Sequence, residues 1–157
     1  MLFKKKESSL IAVCDGEIIP ISRIPDDAFS QGILGQGYGI IPSSHMFFSP
    51  VNGTVISVSD TYHAYTLEDE NGGEILVHIG IDTVELKGEL FTPLVTSGQR
   101  IKAGEGIAVA KLDEIEKRGY RTVSAVLITN SDEYKIERIN FGFAKGGEGV
   151  ALTYKRA

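Results

Sequence analysis

Asn71-Gly72, set between two runs of alternating residues, commits the middle of this chain to a β-hairpin. Both residues tolerate positive φ, and such a pair between alternating strands is the strongest short-range hairpin signal. Downstream, Ile75, Val77, Ile79 and Ile81 fall on one face of a strand, and Leu76, His78, Gly80 and Asp82 on the other. The apolar face belongs to a core, so His78 looks outward. Upstream, Thr61 to Leu67 reads as the partner strand. If Asn71 and Gly72 are a two-residue turn, Tyr65 pairs with His78 and His63 with Gly80. The two histidines then share a face on a diagonal, with Cα atoms ~5.5–8 Å apart. A register shifted by one would separate them. Gly80 leaves open space beside both rings.

A chain of 157 residues is most simply one domain, expected here over residues 10–157 behind a flexible tail at residues 1–9. Gly-rich turns between short Val/Ile-rich runs, with no Trp, favour an all-β build. Gly16 and Gly53 each open a similar run, Gly16-Glu17-Ile18-Ile19 and Gly53-Thr54-Val55-Ile56, 37 residues apart, which suggests a duplicated β motif. Hydrophobic residues spaced around the Gly turns at Ser97 to Gly106 suit a barrel-sandwich. Helix is confined to a turn within Arg23 to Phe29 and a short segment from Asp113 to Arg118, which Gly119 ends. Strands resume at Thr122 to Thr129 and Val150 to Tyr154, with an irregular stretch from Ser131 to Phe143 between them.

A net charge of −5 with scattered basic residues is the wrong sign for a nucleic-acid binder. The single cysteine, Cys14, excludes an internal disulfide and fits a reducing compartment. No signal peptide or membrane span is legible, and the Lys4-Lys5-Lys6 cluster reads as a solvated tail. A cytoplasmic protein without membrane insertion is the expectation.

Two imidazoles converging on an outward face have three uses. One ring can attack a phosphoryl group while the other donates a hydrogen bond to its oxygens, since such transfer is mostly positioning and electrostatics. Alternatively, the pair plus a carboxylate suits zinc. The third possibility is ordinary half-buried histidines. Thr61, two residues from His63 on the same face, is placed to steady that ring. Asp82 lies ~13 Å along an extended strand from His78, too far to orient it. His45 reads as a loop histidine and Lys87 as a solvated lysine, to be checked as a biotinyl- or lipoyl-type attachment site.

The run Leu76-Val77-His78-Ile79-Gly80-Ile81-Asp82-Thr83-Val84-Glu85-Leu86-Lys87-Gly88-Glu89 resembles the signature of the glucose-family enzyme IIA of the bacterial phosphoenolpyruvate-dependent sugar phosphotransferase system (PTS). Thr61-Tyr62-His63-Ala64 is similar to that family's other active-site strand, and the resemblance extends from about Gly16 to the C-terminus. It implies an antiparallel β-sandwich built from a duplicated hybrid motif. It further implies that His78 is the phosphorylated nucleophile, that His63 stabilises the phosphoryl group, and that Thr61 supports His63. Phosphate would arrive from phospho-HPr and leave to the IIB domain of a sugar permease. Phe29, Ile33, Leu34, Leu76 and Val84 match the apolar docking ring, with Asp26 and Asp82 facing a partner's arginine. Two positions depart from the family pattern: Ser59 and Leu90 stand where an aromatic residue and a glycine are expected.

No cofactor is required by that chemistry. The resemblance also allows an alternative, a regulatory module that docks metabolic proteins according to its phosphorylation state, with Zn2+ held between His63, His78 and a partner's carboxylate.

Overall fold

The computed structural model describes residues 6–157. Its strands are β1 (Glu7–Ile11), β2 (Gly16–Pro20), β3 (Gln36–Pro42), β4 (Met46–Phe48), β5 (Gly53–Val58), β6 (Ala64–Asp69) and β7 (Glu74–His78). There follow β8 (Phe91–Pro93), β9 (Arg100–Ile101), β10 (Gly106–Ala110), β11 (Ser124–Ile128), β12 (Tyr134–Ile139), β13 (Gly142–Ala144) and β14 (Val150–Arg156). Two short helices, α1 (Asp27–Ser30) and α2 (Leu112–Lys117), complete the fold together with 3-10 turns, one of them at Thr83–Leu86. The all-β antiparallel expectation holds. So does the position of α2 to within a residue, although Lys111 rather than an acidic side chain stands at its start.

The strands form an eight-stranded sheet, β13-β2-β3-β11-β7-β6-β5-β9, and two three-stranded sheets, β1-β14-β12 and β4-β10-β8. One apolar core draws on all three, from Leu10 and Tyr154 through Phe47 and Ala108 to Val77 and Val126. Reading outward from the central β7–β11 pair, β6-β5-β9 on one side matches β3-β2-β13 on the other. The strands that open with Gly53 and Gly16 occupy corresponding places, so the repeat read from those glycines is present as a two-fold arrangement of the sheet. At both glycines the neighbouring strand's backbone, at Glu68 and Ile41 respectively, fills the space that a Cβ would need.

Three local expectations fail. Glu7 to Ser9 are not tail: they pair with β14 from Lys155 to Thr153, while residues 1–5 of the expected tail lie outside the described residues. Ser131 to Phe143 is not irregular, since it contains β12 and the first two residues of β13. The charges of Lys135, Glu137 and Arg138 mask the strand pattern there, and β12 is an edge strand, where such charges discourage further pairing. The hairpin loop, finally, is longer by one residue. Asp69 N–H donates to the Gly73 carbonyl at 2.9 Å, leaving Glu70, Asn71 and Gly72 as a three-residue loop in which only Gly72 is left-handed (φ +85°). The Asp69 carboxylate accepts from the N–H groups of Asn71 and Gly73 and holds the loop.

The register consequently shifts to the even one, pairing Ala64 with His78 and Tyr65 with Val77. Burial explains why. Tyr65 and Leu67 are the large apolar side chains of β6, and this register stacks them on Val77 and Ile75 in the core.

Candidate functional site

The even register should have parted the histidines, and a break in the strand keeps them together. β6 begins only at Ala64, because Tyr62 is left-handed (φ +59°) and Thr61 to His63 form a bend. His63 therefore leaves the ladder while its carbonyl still accepts from Ile79 N–H at 2.8 Å. The rings of His63 and His78 meet edge to face, with centroids 4.9 Å apart and planes at 84°. Thr61 Oγ1 lies 2.7 Å from His63 Nδ1, as the sequence led us to expect.

The second strand is also shorter than expected. β7 ends at His78, and Gly80 turns the chain with φ +77°. That turn breaks the alternation, so Ile79 enters the main core while Ile81 joins a second cluster with Ile24, Phe29, Ala125 and Leu127. Ala125 and Leu127 lie beside His78 and Leu76 on the outward face, so the second cluster forms the floor of the histidine site. The same turn brings Asp82 round. Its charge, and that of Asp26, act on His78 through space, opposing the effect of burial, and no hydrogen bond orients the ring from either carboxylate.

Gly80 also supplies the hydrogen bond that sets His78. Its carbonyl lies 2.9 Å from His78 Nδ1, and a carbonyl can only accept, so Nδ1 carries the proton and Nε2 keeps its lone pair. The backbone on both sides is pinned: in the Ile79–Gly80 peptide the Gly80 N–H donates to Ser124 Oγ at 3.2 Å and the Ile79 carbonyl accepts from Thr83 Oγ1 at 2.5 Å, and in the Gly80–Ile81 peptide, which carries the carbonyl facing His78, Ile81 N–H donates to the Arg121 carbonyl at 3.0 Å. None of Gly80, Ser124 or Thr83 was assigned this part from sequence, since a backbone acceptor carries no side-chain signature.

The apolar docking residues divide in two. Ile33, Leu34 and Val84 are 70%, 42% and 50% exposed. Phe29, expected among them, is only 4% exposed; its ring packs against the His78 imidazole at 4.9 Å between centroids. Leu76 is likewise partly buried on the second cluster. Phe29 thus backs the His78 ring, and Leu76 lies half-buried on the cluster that contains Phe29. Asp26 caps α1, accepting from Ala28 N–H at 2.9 Å, and Asp82 is exposed.

Among the described residues, four that are not glycine are left-handed: Tyr62, Asp82, Lys87 and Leu90. All lie in the two segments that carry or border the histidines. Leu90 is the position where a glycine was expected, and its φ of +72° accounts for that expectation.

Burial lowers the pKa of both imidazoles. His63, 8% exposed, is pushed down to about 4 by desolvation first and then by its neighbour His78. His78 is lowered by desolvation, against the opposing pull of the Gly80 carbonyl, Asp26 and Asp82. Both rings are thus neutral at neutral pH. Unfolded imidazoles protonate near ~6.5, so below that pH the unfolded chain binds protons that the fold excludes. Stability should therefore fall as pH drops from about 6.5 toward about 4. A urea midpoint clearly lower at pH ~5 than at pH ~7.5, with a smaller difference in His63→Gln, is the expected result. Equal midpoints would contradict it.

Each ring has one nitrogen engaged within the protein and one free for a ligand, which fits half of a tetrahedral zinc site. No group of three His, Cys, Asp or Glu gathers anywhere among the described residues, so the other ligands would have to come from elsewhere.

A family model described as phosphoenolpyruvate-dependent sugar phosphotransferase system, EIIA 1, matches residues 8–134. The chain is 35% identical to the PTS glucose-specific EIIA component of Mycoplasma capricolum, over 97% of its own length and 99% of that protein's. Against the corresponding component of Buchnera aphidicola it is 35% identical, covering 96% and 94%. It also matches the glucose-specific EIICBA component of Streptococcus pneumoniae at 39% identity, over 85% of this chain but 18% of that longer protein. The solved structure of glucose permease IIA from Mycoplasma capricolum matches with a TM-score of 0.91 and 34% identity, covering 98% of this chain and 99% of that one. The chain belongs to the EIIA 1 family of the phosphoenolpyruvate-dependent sugar phosphotransferase system, whose members are phosphotransferase relay components of sugar uptake.

Proposed function

We propose that His78 carries the phosphoryl group on Nε2, taking it from phospho-HPr and yielding it to the IIB domain of a sugar permease. The observation that carries this is the Nδ1–H···O=C bond to Gly80, which leaves an aimed lone pair on the outward nitrogen of a neutral ring. In the first step the P–N bond of the donor breaks as the P–Nε2 bond forms, and the departing ring nitrogen keeps the electron pair. In the second, a nucleophile of the IIB domain displaces His78 Nε2 from phosphorus. His63 stabilises the phosphoryl oxygens and Thr61 holds His63. Little more is needed, because the transfer is governed by alignment and charge stabilisation.

Partners dock on the rim of Ile33, Leu34 and Val84, with Asp26 and Asp82 meeting basic side chains; the acidic balance of the chain favours such steered, brief encounters. Relatives are named for glucose, N-acetylglucosamine and β-glucosides, so the sugar is a property of the membrane partner, and glucose is the first to test. Among the described residues no helix is long and apolar enough to cross a membrane. The buried free thiol of Cys14 suits a reducing compartment, and the cytoplasm is where we place the relay. Zinc would be held by His63 and His78 only with a partner's carboxylate, as a clamp between proteins and outside the relay itself.

The test is incubation with phosphoenolpyruvate, enzyme I and HPr, followed by intact mass. An acid-labile gain of one phosphoryl group is expected, and no gain would overturn the proposal. His63→Gln should still take up phosphate but deliver it to a IIB domain at least ~10-fold more slowly. Unchanged delivery would remove His63 from its role.

A further inference from the structure

Away from the histidines, the outward face of the large sheet carries a second apolar strip. Ala125 pairs with both His78 and Gly39, and Gly39 with Ile19, which sets these residues in one row across β7, β11, β3 and β2. Two residues further along β3, Ile41 pairs with Glu17, and Glu17 with Phe143 on β13. This second row therefore looks to the same side as His78, while Ile40 and Ile18 between the rows are buried on the other face. The first row is covered, since the side chains of Ile24 and Ile19 close over Gly39. The second lies open. Phe143 is 76% exposed, more than any other large apolar side chain among the described residues, and Ile41 and Phe141 are exposed as well.

Large apolar groups gathered on one open face mark a surface that something covers. A lipid leaflet is the wrong cover, because exposed Glu17 stands in the middle of the strip and cytoplasmic leaflets are anionic. A second copy would pair along β13, but three residues beginning at left-handed Gly142 make too short an edge for the ~800 Å2 per partner of a stable complex. A partner held at the histidines meets neither difficulty: the strip shares its face of the sheet, and Glu17 continues the acidic series of Asp26 and Asp82 that would meet basic side chains. Distance selects which partner. Four strand spacings of ~4.8 Å put Phe143 ~20 Å from His78. A footprint of ~800 Å2 centred on His78 has a radius of ~16 Å and stops short of it. The strip is thus reached by an acceptor that extends beyond the domain receiving the phosphate, and relatives named EIICBA and EIIBCA join this domain to IIB and IIC parts in one chain. We propose that Ile41, Glu17 and Phe143 form an outlying foothold for the whole permease, outside the contact that its IIB domain makes at the histidines.

The choice of partner rests on the relay reading above, but the test is binding and needs no phosphate. Wild-type protein, Phe143→Ser and Phe143→Leu are sedimented with phosphatidylcholine vesicles carrying a glucose permease with its IIB domain, and with empty vesicles of the same lipid. All three are also titrated against the isolated IIB domain. Phe143→Ser should bind permease vesicles roughly five- to ten-fold more weakly, and Phe143→Leu, which keeps the apolar surface, within about two-fold of wild type. The isolated IIB domain should bind all three alike, and empty vesicles none. Permease vesicles that bind wild type no better than Phe143→Ser would overturn the proposal, and so would an equal loss on the isolated IIB domain. Binding to empty vesicles that Phe143→Ser abolishes would assign the strip to lipid instead, and a wild-type dimer that the same substitution dissociates would assign it to a second copy; either result overturns the foothold. The expected binding in a protein that takes up no phosphate would leave the foothold standing and remove the relay reading.

Discussion

His78→Gln is expected to fold and to gain no phosphate from phosphoenolpyruvate, enzyme I and HPr. A carboxamide has no nucleophilic nitrogen, and the covalent step has no substitute, so the loss is total. The fold should tolerate the change. His78 is half-buried at the last position of β7, and a Gln amide can still donate to the Gly80 carbonyl. What disappears are the ring contacts with Phe29 and His63, each of a kind that contributes on the order of 1 kcal/mol. Intact mass with and without acid treatment, beside a urea melt, separates the two effects. A labelled variant would move the nucleophile to another residue.

Gly80→Ala should be the most damaging substitution that leaves both histidines in place. At φ +77° an L side chain is strained, and its Cβ would stand 2.5 Å from Thr83 Cγ2 and 3.0 Å from the Arg121 carbonyl. Thr83 is fully buried, so it has no room to yield. Left-handed strain of roughly 1 kcal/mol and the steric conflict together should cost about 2–3 kcal/mol of stability. Relief comes most easily by rotating the Gly80 peptide, and that takes its carbonyl off His78 Nδ1. Phosphate uptake should then slow by at least ~10-fold in the fraction that remains folded, because His78 loses its enforced tautomer. Uptake at the normal rate, measured under conditions where circular dichroism shows the variant folded, would mean that the carbonyl does not prepare the ring.

The hairpin, the outward aspect of His78 and the Thr61–His63 pairing were legible because they rest on local signals: a turn dipeptide, an alternating run and a two-residue spacing. The register was misread through one loop residue, and the apolar weight of Tyr65 and Leu67 was the signal that would have corrected it. The meeting of the histidines survived that error only because Tyr62 and Gly80 bend the ends of both strands, and a pattern of alternation carries no trace of such bends. Phe29 has the composition of a docking residue and the burial of a supporting one; sequence distinguishes these poorly, since the second apolar cluster is assembled from three separate stretches of chain. Ser59 was legible only as a departure from the family pattern. Its place in the structure is a loop closure, in which its hydroxyl accepts from Ala64 N–H at 3.1 Å.

The left-handed bends at Asp82, Lys87 and Leu90 bear on how long a visitor stays. A border whose turns are already set surrenders little disorder when another protein lands on it, so a small contact suffices for selective recognition. A courier that must be relieved of its load soon after receiving it gains from that rigidity: swift release comes from small contacts on a surface set in advance.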